Sequence, residues 1–259
     1  MFVQEADGLY RLRVPFENIA TSVFLLRTPA GPVLYDCATT AEDVENVILP
    51  ALNQLGIAPA QLHALVLSHA HGDHCGGMTA LARYAPQMCI LGQAPEKYAA
   101  AVQALKDQDL LFGSILAIHL PGHTSDCMGL YDRRTHTLLT ADALQWRGIG
   151  RYGCAVTYPQ DYIGTIEKIR NLEPHRILAS HQYVPCGEKA EGAREISRCL
   201  DSCLETLREI EAFVTERHAV DAGKITEAFR AQHPQWPLLP KTTVESLMKW
   251  KGCSLDNEQ

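Results

Sequence analysis

Short apolar runs alternate with turn residues through the first part of the chain. Leu9–Phe16, Ser22–Thr28 and Pro32–Asp36 read as opening strands, with Pro29-Ala30-Gly31-Pro32 as the hairpin turn between the last two. Thr39 followed by Glu42 gives a capping-box signal. The helix behind it places Val44, Val47, Ile48, Ala51, Leu52 and Leu55 on one face, and Gly56 stops it. Leu65-Val66-Leu67 is short and β-branched, which predicts a buried strand running out at Ser68. A helix over Met78–Ala85, a strand over Met88–Leu91 and a helix over Pro95–Leu105 are expected next. Strands Ile115–Leu120, Met128–Tyr131 and Thr137–Thr140 follow, then a helix over Tyr162–Leu172 and a strand over Arg176–Ala179. Strands interleaved with helices argue for an α/β class.

Beyond Gly187 the pattern changes. Ala190, Ala193, Ile196, Leu200, Cys203, Leu204, Leu207, Ile210 and Val214 recur at helical spacing, which predicts one long amphipathic helix. A shorter helix over Ile225–Ala231 is expected after Gly223. The Pro-rich stretch Pro234–Pro240 leads to a last helix capped by Thr242 with Glu245.

Against this background one stretch stands apart. Ser68-His69-Ala70-His71-Gly72-Asp73-His74 places three imidazoles and a carboxylate in six positions straight after a strand. Residues two apart near a strand end point the same way, so His69 and His71 can converge on one ion. Asp73 and His74 lie further round the turn and can face a second. Imidazole with carboxylate suits zinc, manganese or iron rather than calcium. His123 in Pro121-Gly122-His123-Thr124, Asp142 after Leu138-Leu139-Thr140-Ala141, and His181 after Ile177-Leu178-Ala179-Ser180 also stand where strands run out. Open α/β sheets build their sites at such edges. The remaining histidines, His63, His119, His136, His175, His218 and His233, fall outside this order and are expected at the surface or hydrogen-bonded in the core.

From about Ser22 to Tyr183 the chain resembles the metallo-β-lactamase-fold superfamily, through the HxHxDH motif and the ordered ligands after it. The resemblance implies an αββα four-layer sandwich of two mixed sheets, here with a helical carboxy-terminal extension. It implies that His69, His71 and His123 hold one divalent ion, that Asp73, His74 and His181 hold a second, and that Asp142 bridges both. Asp36, in Val33-Leu34-Tyr35-Asp36, matches the early aspartate that orients ligands from behind. Two zinc ions are expected, with iron or manganese as alternatives. Residues 1–186 would be the catalytic core, and 187–259 a helical segment packed on or near the active-site cleft.

Two such ions, about 3.5–4 Å apart, hold a hydroxide that attacks an electrophilic carbonyl. Asp73 is the catalytic candidate, close enough to the nucleophile to orient it or shuttle a proton. The expected activity is therefore a dinuclear hydrolase acting on a small thioester or ester. Asp142–Arg151 resembles the corresponding segment of glyoxalase II and of persulfide dioxygenases, and Ser180-His181-Gln182-Tyr183 resembles their His-acid-Tyr end. Within that segment, Arg147 and Arg151 are candidates for holding a substrate carboxylate or phosphate. The chain departs from its relatives in places. Ala70 stands where glyoxalase II has an extra histidine, the carboxy-terminal helices do not match a glutathione-binding tail, and Gln145 replaces the tyrosine of acyl-homoserine lactonases. Two alternatives stay open: a mononuclear iron persulfide dioxygenase using His71, His123 and Asp142, and a regulatory or binding module on the same fold.

Bulk properties narrow the partners. Hydrophobic content of 46% and charged content of 20% are ordinary for a globular protein. A net charge of -7 argues against a nucleic-acid partner, which needs a basic face. Met1-Phe2-Val3-Gln4-Glu5-Ala6-Asp7 carries no basic or apolar leader pattern, and no run has the length of a membrane span. A cytoplasmic enzyme with a small-molecule substrate is expected, without membrane association, its helical segment either walling the cleft or forming a homodimer contact. The nine cysteines lack metal-type spacing and read as reduced thiols, with Cys75 a small packed residue beside His74.

Overall fold

The computed structural model describes residues 1–98, 101–217 and 221–252. They fall into two compact units, Met1–His119 with Asp126–Ala141, and Leu120–Ser125 with Asp142–Gln259.

The first unit carries a sheet whose strands lie side by side in chain order: β1 Val3–Ala6, β2 Leu9–Phe16, β3 Ile19–Thr28, β4 Gly31–Tyr35, β5 Ala64–Val66, β6 Cys89–Gly92 and β7 Gln103–Ala104. The first four pair antiparallel, and from β4 onward the pairing is parallel. Parallel neighbours need crossovers, and helices supply them. α1 Ala41–Asp43 and α2 Leu49–Gln54 connect β4 to β5, while α3 Gly72–Cys75 and α4 Met78–Tyr84 connect β5 to β6. Between α1 and α2 the helix widens, because Leu49 N–H reaches back to Val44 O ahead of Pro50, which has no N–H to donate. Leu12, Leu25, Leu34, Ile48, Leu52, Leu65 and Leu81 pack in the core beneath these helices. The unit also holds an antiparallel meander, β8 Leu110–Leu111, β9 Ile115–His119, β10 Met128–Asp132 and β11 Thr137–Ala141. Met128 ties it to the first sheet: its N–H donates to Ser68 O at 2.8 Å and its carbonyl accepts the Tyr35 hydroxyl at 2.6 Å.

The second unit contains the hairpin β12 Gly148–Ile149 with β13 Tyr152–Gly153, the antiparallel pair β14 Arg176–Tyr183 with β15 Gly187–Glu191, and four helices, α5 Pro159–Leu172, α6 Ala193–Glu216, α7 Ala222–Gln232 and α8 Lys241–Trp250. On α6 the buried residues Ile196, Cys199, Leu200, Cys203, Leu207, Ile210 and Val214 form the stripe that the helical period requires.

Several local expectations are corrected. The first capping box is Thr40 with Asp43, one residue beyond Thr39 and Glu42. Pro95–Leu105 is not a helix: Pro95–Lys97 is a single turn and Gln103–Ala104 a strand, with residues 99–100 outside the described set. Ala190 belongs to strand β15 rather than to the long helix. The last helix follows Pro240 without a side-chain cap. Thr243 instead donates its hydroxyl to Cys154 O at 2.9 Å and accepts Val156 N–H at 3.0 Å. Among the described residues no helix is long and apolar enough to cross a membrane.

Candidate metal centre

In the first unit the predicted ligands are set by a network behind the ends of β4 and β5. Asp36 follows β4 with φ of 65°, and its carboxylate is fully buried. It accepts Ser68 N–H at 2.8 Å and the Ser68 hydroxyl at 2.9 Å, and its Oδ2 lies 2.8 Å from His74 Nδ1. These donors offset the cost of burying its charge. Because the Ser68 proton goes to Asp36, the Ser68 oxygen is left to accept from His69 Nδ1 at 2.9 Å. This network places the proton of both His69 and His74 on Nδ1, so each turns the lone pair of Nε2 outward. His71 is exposed, its ring edge-on to that of His69 with centroids 4.6 Å apart. Asp73 accepts the Thr21 hydroxyl at 2.9 Å, and the same Oδ2 lies 3.3 Å from His74 Nε2.

The loop is held from two sides. Asp126 accepts Ala70 N–H at 3.1 Å and pairs with the Lys97 ammonium at 2.7 Å. On the other side Cys37 N–H donates to His74 O at 2.8 Å, and its buried thiol reaches the same oxygen. A Cβ on Gly77 would sit 2.2 Å from Cys37 O, so only glycine lets the turn between α3 and α4 close here. Burial, then the charge of Asp36, pushes the half-buried Cys75 thiol up, which makes it a poor nucleophile.

In the second unit, His123 follows Gly122, whose φ of 143° and close approach to Tyr162 leave no room for a side chain. His123 Nδ1 donates to Ala155 O at 2.7 Å, which again turns the Nε2 lone pair outward. Asp142 presents both oxygens to imidazoles, Oδ1 at 3.3 Å from His181 Nε2 and Oδ2 at 3.7 Å from His123 Nε2. His181 lies within β14, where the pairing with β15 shifts register between Leu178 and Tyr183. The strand therefore continues past Ala179, where the apolar run stops.

Each unit thus presents imidazole nitrogens beside carboxylate oxygens. Ligands roughly 2.0–2.1 Å from a tetrahedral zinc lie about 3.4 Å from one another. The separations of 3.3, 3.3 and 3.7 Å match that spacing. Neutral imidazole with carboxylate is the donor set of zinc, manganese or iron, so the residues fit divalent ions.

The model of the metallo-beta-lactamase superfamily matches residues 18–87 and 92–181. The chain belongs to the metallo-β-lactamase superfamily. A hydroxyacylglutathione hydrolase of Rippkaea orientalis is 32% identical over 167 residues, 58% of this chain and 63% of its own length. A probable hydroxyacylglutathione hydrolase of Schizosaccharomyces pombe is 32% identical over 216 residues, 81% of this chain and 79% of its own. The chain therefore spans less than two thirds of the Rippkaea relative's length and more of the yeast one. A solved metallo-beta-lactamase family structure from Thermus thermophilus superimposes with a TM-score of 0.71 at 16% identity, covering 96% of this chain and 95% of its own. The metallo-β-lactamase fold with carboxy-terminal helices, expected from the sequence, is borne out.

Three supporting roles in this superfamily member carry no local sequence signal. Gln145 is buried, and its Nε2 donates to Asp142 O at 2.8 Å and the Tyr183 hydroxyl at 3.2 Å. Its Oε1 accepts Ala155 N–H at 3.0 Å. One amide thereby joins the backbone of Asp142 to the residue that holds His123. Asp126 and Thr21 were also unmarked, since their partners lie 56 and 52 residues away. Arg147 and Arg151 are exposed in or beside the β12–β13 hairpin. The Arg147 guanidinium lies 4.7 Å from the Trp236 ring centroid and that of Arg151 5.1 Å from Tyr152. Of the other histidines, His136 bonds the Tyr131 hydroxyl at 2.8 Å and His233 stacks on Phe229, while His218 lies outside the described residues.

Proposed function

We propose that the chain is a metal-dependent hydrolase of a small thioester or ester, holding two divalent ions, preferentially zinc. His69, His71 and His123 would hold one ion, Asp73, His74 and His181 the other, and Asp142 both. The observation that carries this reading is the Nδ1 anchoring of His69, His74 and His123 on Ser68, Asp36 and Ala155, which would make their three Nε2 atoms ligands. Such anchoring is what a metal-binding histidine needs to keep its tautomer and orientation. Two bound divalent ions supply an activated water and polarise the carbonyl to be cleaved. Asp73, with one oxygen fixed by Thr21, orients the attacking water or carries its proton. Arg147 and Arg151 are the residues assigned to an anionic group of the substrate. The thioester class is favoured by the names of the relatives above, both described as hydroxyacylglutathione hydrolases.

The test joins metal analysis to turnover. Protein supplied with zinc or manganese should hold two ions per chain and cleave an acyl thioester without oxygen, with ¹⁸O from labelled water entering the carboxylate. At most one ion per chain would sink the dinuclear centre. Oxygen consumption with a persulfide, dependent on iron and absent with zinc, would replace hydrolysis by dioxygenation through His71, His123 and Asp142.

A further inference from the structure

Within the second unit, the carboxy-terminal segment grips the loop after Asp142 at the residue that holds His123. Residues 154–156 lie outside every helix and strand, so no ladder fixes their peptide planes. Just before them, Gly153 N–H donates to Leu238 O at 3.0 Å, and a Cβ on Gly153 would lie 2.4 Å from that oxygen. Just after them, Thr157 and Tyr158 N–H both donate to Gly122 O at 2.9 Å. Between these attachments stands Thr243, fully buried in the first turn of α8. Its hydroxyl donates to Cys154 O at 2.9 Å and accepts Val156 N–H at 3.0 Å, and so bridges Ala155.

A trans peptide is planar, with its C=O and N–H pointing in opposite directions. The Ala155 carbonyl and the Val156 N–H belong to one such plane. Turning that N–H onto Thr243 therefore aims the carbonyl the other way, where it accepts His123 Nδ1–H at 2.7 Å. The Cys154 carbonyl and the Ala155 N–H share the preceding plane. With the carbonyl on Thr243, that N–H meets Gln145 Oε1 at 3.0 Å. One hydroxyl thus sets the rotation of both peptides that flank Ala155. The hydroxyl is itself held, because Val244, Leu247 and Met248 anchor α8 in the core and a β-branched side chain is stiff at χ1. Valine would match its shape and offer neither donor nor acceptor, leaving Cys154 O and Val156 N–H without this partner.

We propose that Thr243 is a positioning residue of the metal centre: it aims the His123 imidazole through the Ala155 peptide, which makes the first turn of α8 part of the ligand scaffold. Its role rests on the reading of His123 as a ligand, since Thr243 acts through Ala155 and His123. An imidazole that rotates, or that carries its proton on Nε2, is a poor ligand, because the metal takes the Nε2 lone pair. The carboxy-terminal helices are then more than a cover for the sheet. They hold one wall of the centre in register from more than a hundred residues along the chain.

The experiment uses the full-length chain and reads His123 directly. Long-range ¹⁵N–¹H spectra of the metal-free protein at alkaline pH, where imidazole is neutral, show which ring nitrogen carries the proton. The unsubstituted protein should show His123 protonated on Nδ1. Thr243→Val should give a mixture of tautomers and weaken zinc binding in calorimetry by about tenfold or more, the lower end of what losing a ligand-orienting contact costs. Thr243→Ser, which keeps the hydroxyl, should restore both. Thr226→Val is the control: that hydroxyl is also buried in the helical segment but donates within α7, to Ala222 O at 2.9 Å, and its loss should change neither readout. A His123 proton on Nε2 in the unsubstituted chain, an unchanged tautomer and zinc affinity in Thr243→Val, or an equal loss in Thr243→Ser or in the control would overturn the proposal. Should Thr243→Val fail to fold, hydrogen exchange on the unsubstituted chain decides. Val156 N–H, although in a loop, should then exchange as slowly as the core amides of α8, and much faster exchange would overturn the link. A chain that shows the Nδ1 tautomer and loses it in Thr243→Val, yet binds no zinc, would refute the metal reading while leaving the coupling of Thr243 to His123 in place.

Discussion

Gln145 shows how much of the proposed centre rests on residues that bind nothing. An amide offers two N–H donors and a carbonyl acceptor, and here they meet Asp142 O, the Tyr183 hydroxyl and Ala155 N–H. Leucine would fill the volume and leave the buried partners unsatisfied, at about 1–3 kcal/mol for each. Gln145→Leu should therefore weaken zinc binding by about 10–100-fold, the usual effect of losing a residue that orients ligands. Calorimetric titration of the metal-free protein with zinc measures this, and unchanged affinity would remove Gln145 from the centre. Asp142→Ala should lose metal and activity together, whereas Arg151→Ala should keep both ions and mainly raise KM. Metal content with steady-state kinetics separates the two outcomes. The ligands themselves were legible because they sit in a compact motif and at strand ends. Gln145 was visible only as a departure from the lactonase pattern, because its partners lie 3, 10 and 38 residues away and form no local signature.

At the level of elements, the apolar pattern located nearly every long strand and helix, and it failed where elements were short or polar. Ala190 keeps a three-residue spacing with Ala193 and Ile196, which predicts helix, yet it lies in the strand Gly187–Glu191. Burial along that strand alternates, with Glu188 and Ala190 turned inward, as pairing to β14 requires. β12 and β13 have two residues each, too few for a period to register. The turn before His123 was legible in composition but not in cause. Gly122 holds φ of 143°, and an added Cβ would lie 2.6 Å from Tyr162 Cα at the start of α5. Gly122→Ala should lose about 1–3 kcal/mol from the backbone conformation alone, with more from the overlap. A lowered melting temperature together with reduced metal retention would show that α5 and the His123 turn are set by one contact. An unchanged melting temperature would show that the turn relaxes freely.

For the molecule as a whole, the proposed ligands run from His69 to His181, so an unfolded chain cannot gather the full set and bound ions would favour the native state. At a free zinc concentration a hundredfold above the dissociation constant, one such ion would add at most about 2.7 kcal/mol, less whatever the unfolded chain binds. Removing metal with a chelator should lower the melting temperature in calorimetry, and zinc should restore it where magnesium, which prefers an all-oxygen shell, should not. A melting temperature indifferent to chelation would speak against tightly held ions.

Cys37 and Cys75 flank Asp36 and His74 along the chain, yet the fold withdraws the one fully and the other by half, and burial keeps both protonated. Thiolates are stronger zinc ligands than the imidazoles and carboxylates of the proposed centre. In a nascent or denatured chain nothing shields them, and Cys75 sits directly beside His74. The segment proposed to supply half of the ligands is then a promiscuous chelator, able to capture zinc in wrong sets before its distant partners arrive. Refolding in excess zinc should consequently give less protein with two ions per chain than refolding first and adding zinc afterwards. Cys75→Ser should narrow the difference, as atomic absorption on the recovered folded protein would record.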